Sequence, residues 1–336
     1  MRFPRLLAYV LMLAGAAPTL AEPRAQVVAS GLENPWAVAF LPSGRFLVTE
    51  KLGRMRVVEA DGKLGPALPG LPEVAIGGQG GLLDVVLDSG FEANRTLYFC
   101  FSEPDTDAGG RTNSTALAKA QLSTDRSRIE NVRVIFSQRP KVASRNHFGC
   151  RIAEGKDGNL YMTLGDRFSR KEDAQKLDNH LGKIVRVTKD GAAPPDNPLV
   201  GQAGALPEIW SYGHRNGQGL SFAPDGRLWM TEHGPQGGDE INIVQPGHNY
   251  GWPVITYGEN YGGGKIGEGI TAKEGMDQPL HYWVPSIAPS GMVFLTSDRY
   301  GKGWRGNLFV GSLKFGYLDR IEIQGGKVVA EHKLLE

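Results

Sequence analysis

The sequence predicts one all-β domain of the β-propeller type, and three observations carry that prediction. Amphipathic helical periodicity is scarce beyond the N-terminal apolar run. The chain holds 46 glycines and 21 prolines with neither collagen period nor low complexity, a density that fits many short strands joined by tight turns. A turn followed by a β-branched or aromatic strand recurs at five places, marked by Phe46, Leu97, Leu160, Leu228 and Leu308. The intervals are 51, 63, 68 and 80 residues, each long enough for four short strands and their loops, which is the period of propeller blades.

In chain order, residues 1–21 come first, with Arg2 and Arg5, an apolar run from Leu6 to Ala17, and Thr19-Leu20-Ala21. That is the pattern of a cleaved signal peptide, too short for a membrane anchor. Residues 22–336 then read as a single propeller domain, exported and periplasmic, with no membrane span. Removing the leader takes the formal charge from +1 to −1, so no basic field recommends nucleic acid.

Within the units a further strand usually follows the marker, as at 53–58, 181–187, 240–244 and 317–323. Five units are visible, the last ending at the C-terminus, so the expected ring is incomplete. Gln26-Val27-Val28-Ala29 is a candidate strand for joining the last blade. Cys100 and Cys150 read equally as a disulfide or as two small buried hydrophobes.

The polar residues concentrate at loops between strands, above all in Tyr212–Pro253. His147, just before a strand, is the natural general base, and Asp166, just after one, is placed to orient it. Arg215, Asn216, Gln218 and Lys314 form an anion-recognising set if they converge, Arg offering a fork and Lys a point charge. Glu232, Asp239 and Glu240 with nearby carbonyls suit calcium. His214, His233 and His248 match no HExxH-type zinc spacing.

Six motifs in order, Gly78-Gln79-Gly80-Gly81-Leu82-Leu83, Asn146-His147-Phe148-Gly149, Gly213 to Leu220, Glu232-His233-Gly234-Pro235 with Asp239 to Asn242, Asn249-Tyr250-Gly251-Trp252-Pro253 and Ser286 to Gly291, resemble the soluble PQQ-dependent aldose sugar dehydrogenases, relatives of soluble quinoprotein glucose dehydrogenase. The resemblance runs from about Leu32 to Glu336. It implies a six-bladed propeller, here with the sixth blade and its paired arginines missing, acting as a monomer or homodimer. It also implies pyrroloquinoline quinone (PQQ) held by Gln79, Arg215, Asn216, Gln218 and Lys314, with Tyr261 flanking the cofactor or sugar. A calcium ion would be bound by the carbonyls of Gly234 and Pro235, and a second by Glu240 and Tyr250. The implied reaction oxidises the anomeric hydroxyl of an aldose to a lactone, with His147 as base, Asp166 behind it, Arg215 stabilising charge, and electrons leaving to an external acceptor. The alternatives are a calcium-dependent lactonase-like hydrolase and a non-catalytic propeller that binds sugar or protein.

Overall fold

The computed structural model describes residues 23–107 and 109–336; the proposed leader lies outside the described residues. Twenty strands form five four-stranded antiparallel sheets, and the only α-helix among the described residues is the single turn Phe91–Asn94. The molecule is a five-bladed β-propeller. Blade 1 comprises β1 (Pro35–Leu41), β2 (Arg45–Glu50), β3 (Arg54–Val58) and β4 (Leu64–Ala67). Blade 2 comprises β5 (Leu82–Leu87), β6 (Thr96–Pro104), β7 (Asn113–Leu122) and β8 (Ile129–Ser137). Blade 3 holds β9 (Gly149–Glu154), β10 (Leu160–Leu164), β11 (Lys183–Val187) and β12 (Ile209–Tyr212); blade 4 holds β13 (Gly217–Phe222), β14 (Leu228–Glu232), β15 (Asp239–Val244) and β16 (His281–Trp283). Blade 5 is β17 (Pro289–Phe294), β18 (Leu308–Ser312), β19 (Leu318–Gln324) and β20 (Lys327–Leu334).

All five sequence markers fall on the second strand of a blade. These strands are buried on both sides because successive side chains face opposite neighbours. In β6, Leu97, Phe99 and Phe101 pack with Leu47 and Met55 of blade 1, whereas Tyr98 and Cys100 pack with Cys150, Ile152 and Leu160 of blade 3. The same alternation joins blades 3 and 4 through Tyr161, Ile184 and Met230, and blades 4 and 5 through Trp229, Ile241, Leu308 and Val310. The innermost strands pack in the order β1, β5, β9, β13, β17. Arg151 ties four of them together near the axis. It donates to Asp84 Oδ1 at 3.0 Å and to the Gln218 carbonyl at 2.8 Å, and stacks 4.3 Å from the Trp36 ring.

One sequence expectation changes here. Gln26–Ala29 forms no strand and does not join blade 5; it lines, with Trp36, Val38 and Phe40, an apolar cleft of about 410 Å³ on the flank of blade 1. The Val28 carbonyl lies where a Cβ on Gly62 would sit, so this segment is held by the β3–β4 turn of blade 1. A sixth blade is not present among the described residues, and the free flanks leave Val38 and Phe40 of β1 and Val293 of β17 exposed. The cysteines are a disulfide, Cα to Cα 5.8 Å, joining β6 to β9. No helix among the described residues is long and apolar enough to cross a membrane.

The seam between blades 4 and 5 carries a titratable cluster. Both Asp319 carboxyl oxygens are buried without a donor, beside the Glu331 carboxylate, which itself accepts from Trp283 Nε1 at 3.3 Å and pairs with His281 Nε2 at 2.6 Å. Two acceptors in contact require a proton between them, and burial, then the Glu331 charge, push Asp319 up to about 7. Folded Asp319 therefore keeps its proton through a range where the unfolded chain has lost it. Its contribution is complete below about pH 4 and is lost as pH rises through 7, a change of about 2 kcal/mol once the roughly 4 kcal/mol that separates an ordinary carboxyl from one titrating at about 7 is halved for solvent screening. Asp319→Asn removes that slope, and its melting temperature is expected to exceed wild type by about 3 °C at pH 8 but to match it at pH 4. Equal pH profiles in thermal melts of the two proteins would refute the shared proton.

Candidate active site

The loops on one end of blades 3 and 4 bring together the residues that the sequence singles out most strongly. His147 ends the connection into β9 with a left-handed φ of 49°, and its ring Nδ1 lies 2.6 Å from Asp166 Oδ1. Asp166 sits just past β10, and its carboxylate is fully engaged. Oδ1 also accepts the Phe168 N–H at 2.7 Å, and Oδ2 accepts the Trp252 indole N–H at 2.8 Å. A carboxylate that accepts on both oxygens makes the imidazole donate from Nδ1, leaving Nε2 as the basic nitrogen. Burial, and then the positive charges of Arg215 and Arg167, lower the His147 pKa against the opposing pull of Asp166. The ring is thus neutral near pH 7 and able to accept a proton.

His147 and Asp166 share a cavity of about 300 Å³ with Arg215, Phe168, Lys171, Pro235, Trp252 and Tyr261. Glycines make this packing possible. The His147 carbonyl occupies the position that a Cβ on Gly165 would take, at 2.0 Å, so no larger residue fits behind the base. Gln79 Oε1 accepts the His147 backbone N–H at 2.7 Å, which places Gln79 as a brace of the base, its amide nitrogen on an exposed loop.

Arg215 Nη1 donates to the Gly234 carbonyl at 2.7 Å and to the His233 carbonyl at 3.2 Å, while its Nε is buried with no partner. Asn216 is buried, and its Oδ1 accepts the Gly149 N–H at 3.0 Å and Gln218 Nε2 at 3.2 Å. This pair therefore stitches blade 4 to blade 3 beneath the cavity. Tyr261 lines the mouth and is 64% exposed. Lys314 stands apart: it lies exposed in the β18–β19 turn, its ammonium 5.0 Å from the Phe315 ring, and does not line the cavity.

Beneath Arg215 lies an acidic pair. Glu232 and Glu240 are direct cross-strand partners on β14 and β15, and the Asn242 amide donates to both at 3.1 Å. Burial of the carboxyl, then the Glu232 charge, push Glu240 up to about 8. Asn242 Oδ1 is buried without a partner. A small void is enclosed by these acids, Tyr250 and Thr256. Two acids, an orphaned amide oxygen and a void form a donor set suited to a hard cation. The Tyr250 hydroxyl is already spent on Ile243 O and Gln245 N, so only its main-chain carbonyl is left for such a role. The Gly234 carbonyl fits a metal poorly as it stands, because the Arg215 guanidinium occupies it. The remaining histidines of this stretch are separately engaged, His214 with Ser211 and Glu232, His233 with the Pro289 carbonyl, His248 with Asp277.

With this geometry in hand, comparison with known proteins decides the family. Residues 32–336 match the model of the glucose/sorbosone dehydrogenases. The chain belongs to that family. It is 42% identical over 315 residues to the aldose sugar dehydrogenase YliI of Escherichia coli, covering 92% of this chain and 83% of that one. A crystal structure of a glucose dehydrogenase superposes with TM-score 0.89 at 47% identity, covering 93% and 90% of the two chains. The PQQ-bound form of an aldose sugar dehydrogenase from Streptomyces coelicolor superposes with TM-score 0.76 at 29% identity, covering 93% and 84%.

For this glucose/sorbosone dehydrogenase family member, sequence reasoning missed two groups that hold the site. Arg167, wholly buried, ties the loop before His147 to blade 2, and Trp252 closes on Asp166. Phe168 and Lys171, which follow Asp166, also reach the cavity. The signal for Arg167 was its place beside Asp166 in a glycine-bounded turn; for Trp252 it was a tryptophan flanked by glycine and proline inside a polar loop.

Proposed function

We propose that this chain oxidises the anomeric hydroxyl of aldose sugars to the lactone, with PQQ as bound cofactor and an external electron acceptor. The observation that carries the proposal is the His147–Asp166 pair opening onto a cavity shared with Arg215. Bound there, PQQ would supply the two-electron acceptor for the sugar's hydride. His147 Nε2 takes the proton of the anomeric hydroxyl, and Asp166 holds the ring in the tautomer that exposes that nitrogen and stabilises the imidazolium that forms. Arg215 fits an anionic cofactor because its buried Nε has no partner and its guanidinium lies against the cavity. Tyr261, at the mouth, is placed to flank the sugar.

Calcium is proposed at the Glu232–Glu240 pair, where it would neutralise two facing carboxylates. No step is routed through it. The Gly234 and Pro235 carbonyls would serve a second ion only if Arg215 released Gly234. Gln79, Asn216, Gln218 and Lys314 remain proposed contacts of the cofactor; for Lys314 this requires the β18–β19 turn to fold inward. The exposed flanks of blades 1 and 5 support a sixth blade between them, and the Cys100–Cys150 disulfide supports export to an oxidising periplasm. The hydrolase alternative needs several side-chain carboxylate or amide ligands around one metal and has no use for Arg215, whereas Arg215 lines the cavity beside His147.

The test is reconstitution of the purified chain with PQQ, with and without calcium, followed by dye reduction with glucose and other aldoses. Cofactor-dependent dye reduction, with the bound quinone bleaching on sugar addition, is the expected result. Absence of PQQ binding by absorbance and calorimetry would overturn the proposal.

A further inference from the structure

Trp252 joins elements that are otherwise separate. It is 8% exposed, packed with Ala174 and Ile266, and its main chain is fixed on both sides: its N–H donates to Gly213 O at 2.9 Å and its carbonyl accepts Gln175 Nε2 at 2.8 Å. The indole is therefore held rigidly by the loops of blades 3 and 4. Its Nε1 donates to Asp166 Oδ2 at 2.8 Å, and its ring lies 5.3 Å from the Arg215 guanidinium carbon. Oδ1 of the same carboxylate already receives His147 Nδ1 and the Phe168 N–H.

We infer that Trp252 is the positioning residue of this site: its N–H fixes the carboxylate that orients His147, and its ring seats Arg215. The two duties are chemically separable. Phenylalanine keeps a smaller ring for the guanidinium and deletes the N–H. A carboxylate that loses one of three donors in a buried setting is less stabilised as an anion, so it draws the proton of His147 more strongly. His147 faces Asp166, Arg167, Arg215, Lys171 and, more distantly, His233, and Trp252→Phe removes a hydrogen bond from the Asp166 member of that set alone.

The first readout needs no cofactor. In the protein without PQQ, the His147 ring resonances titrated by NMR are expected to move their midpoint up by about 0.5–1 pH unit in Trp252→Phe. In an Asp166→Asn background the same substitution is expected to shift nothing, because the coupling runs through the carboxylate. The wild-type protein supplies a check should the variant fold poorly: the Trp252 indole N–H resonance is expected to titrate with the midpoint of His147. An unmoved His147 midpoint in Trp252→Phe, a shift that persists in Asp166→Asn, or an indole resonance blind to the His147 titration each overturns the inference. The second readout rests on the sugar-oxidation proposal. In reconstituted Trp252→Phe, the acidic limb of kcat/KM is expected to move up by the same interval and kcat to fall about tenfold, with KM for sugar and PQQ affinity within twofold of wild type. A protein that oxidises no sugar would sink that proposal while leaving the NMR result standing.

Discussion

Alanine at position 147 is expected to lower kcat/KM for aldose oxidation by about a thousandfold while leaving the fold intact. The ring makes one side-chain hydrogen bond, to Asp166, and that carboxylate keeps its Phe168 and Trp252 donors when the ring is gone. The cavity's carboxylate, Asp166, stays committed to its Phe168 and Trp252 donors and does not replace the base. The wild-type profile should show the sign of the imidazole's environment. Because burial and two nearby arginines lower its pKa below the ordinary 6.5, kcat/KM should already be flat at pH 7 and fall as the ring protonates at lower pH. Single-turnover absorbance with PQQ bound, read from pH 5 to 9, checks both expectations. A variant within tenfold of wild type would remove His147 from the role of base.

The second large effect is structural. Arg167→Met is expected to cost about 4 kcal/mol and to cut activity as well. The side chain is wholly buried, and its guanidinium donates to Asn146 O at 3.1 Å, Asn113 O at 3.1 Å, Asn113 Oδ1 at 2.6 Å and Ser144 O at 2.7 Å, over the Phe148 ring at 3.9 Å. Methionine fills the volume but takes the guanidinium away from three main-chain carbonyls; Asn113 O keeps the Val142 N–H, while the Asn146 and Ser144 carbonyls belong to the segment that delivers His147. Urea denaturation is the measurement, with kcat/KM beside it. Loss of stability under 1 kcal/mol would mean that the loop finds other partners.

These two positions also show where the sequence was legible. The blades were readable because each second strand is a largely buried run behind a turn, glycine-containing in four of the five, a local pattern that survives in one dimension. His147, Asp166 and Arg215 were readable because each sits at a strand end with chemistry rare elsewhere in the chain, and the fold brings all three to one cavity. Arg167 was not, since an arginine in a loop is ordinarily solvated, and only the folded neighbourhood shows that its guanidinium makes four hydrogen bonds to carbonyl oxygens. Asn216 and Gln218 read as ligand-binding amides, and the structure engages Asn216 Oδ1 and Gln218 Nε2 on the seam between blades. An amide in a polar loop carries no mark of which use it serves. Gln26–Ala29 misled for a related reason: a short segment with β-branched residues has strand character whether or not an edge is within reach, and the turn at Gly62 claimed it first.

The distribution of the site along the chain has a consequence for assembly. His147 and Asp166 are 19 residues apart and can meet once blade 3 exists, but the indole that anchors the carboxylate comes 86 residues after Asp166. As the chain emerges from its N-terminus, an unanchored base pair therefore forms well before its support. On the proposed function, cofactor capture would wait for the loop after blade 4's third strand, so a nascent or C-terminally shortened chain that still folds blades 1 to 3 would present the acid–base pair without a competent site.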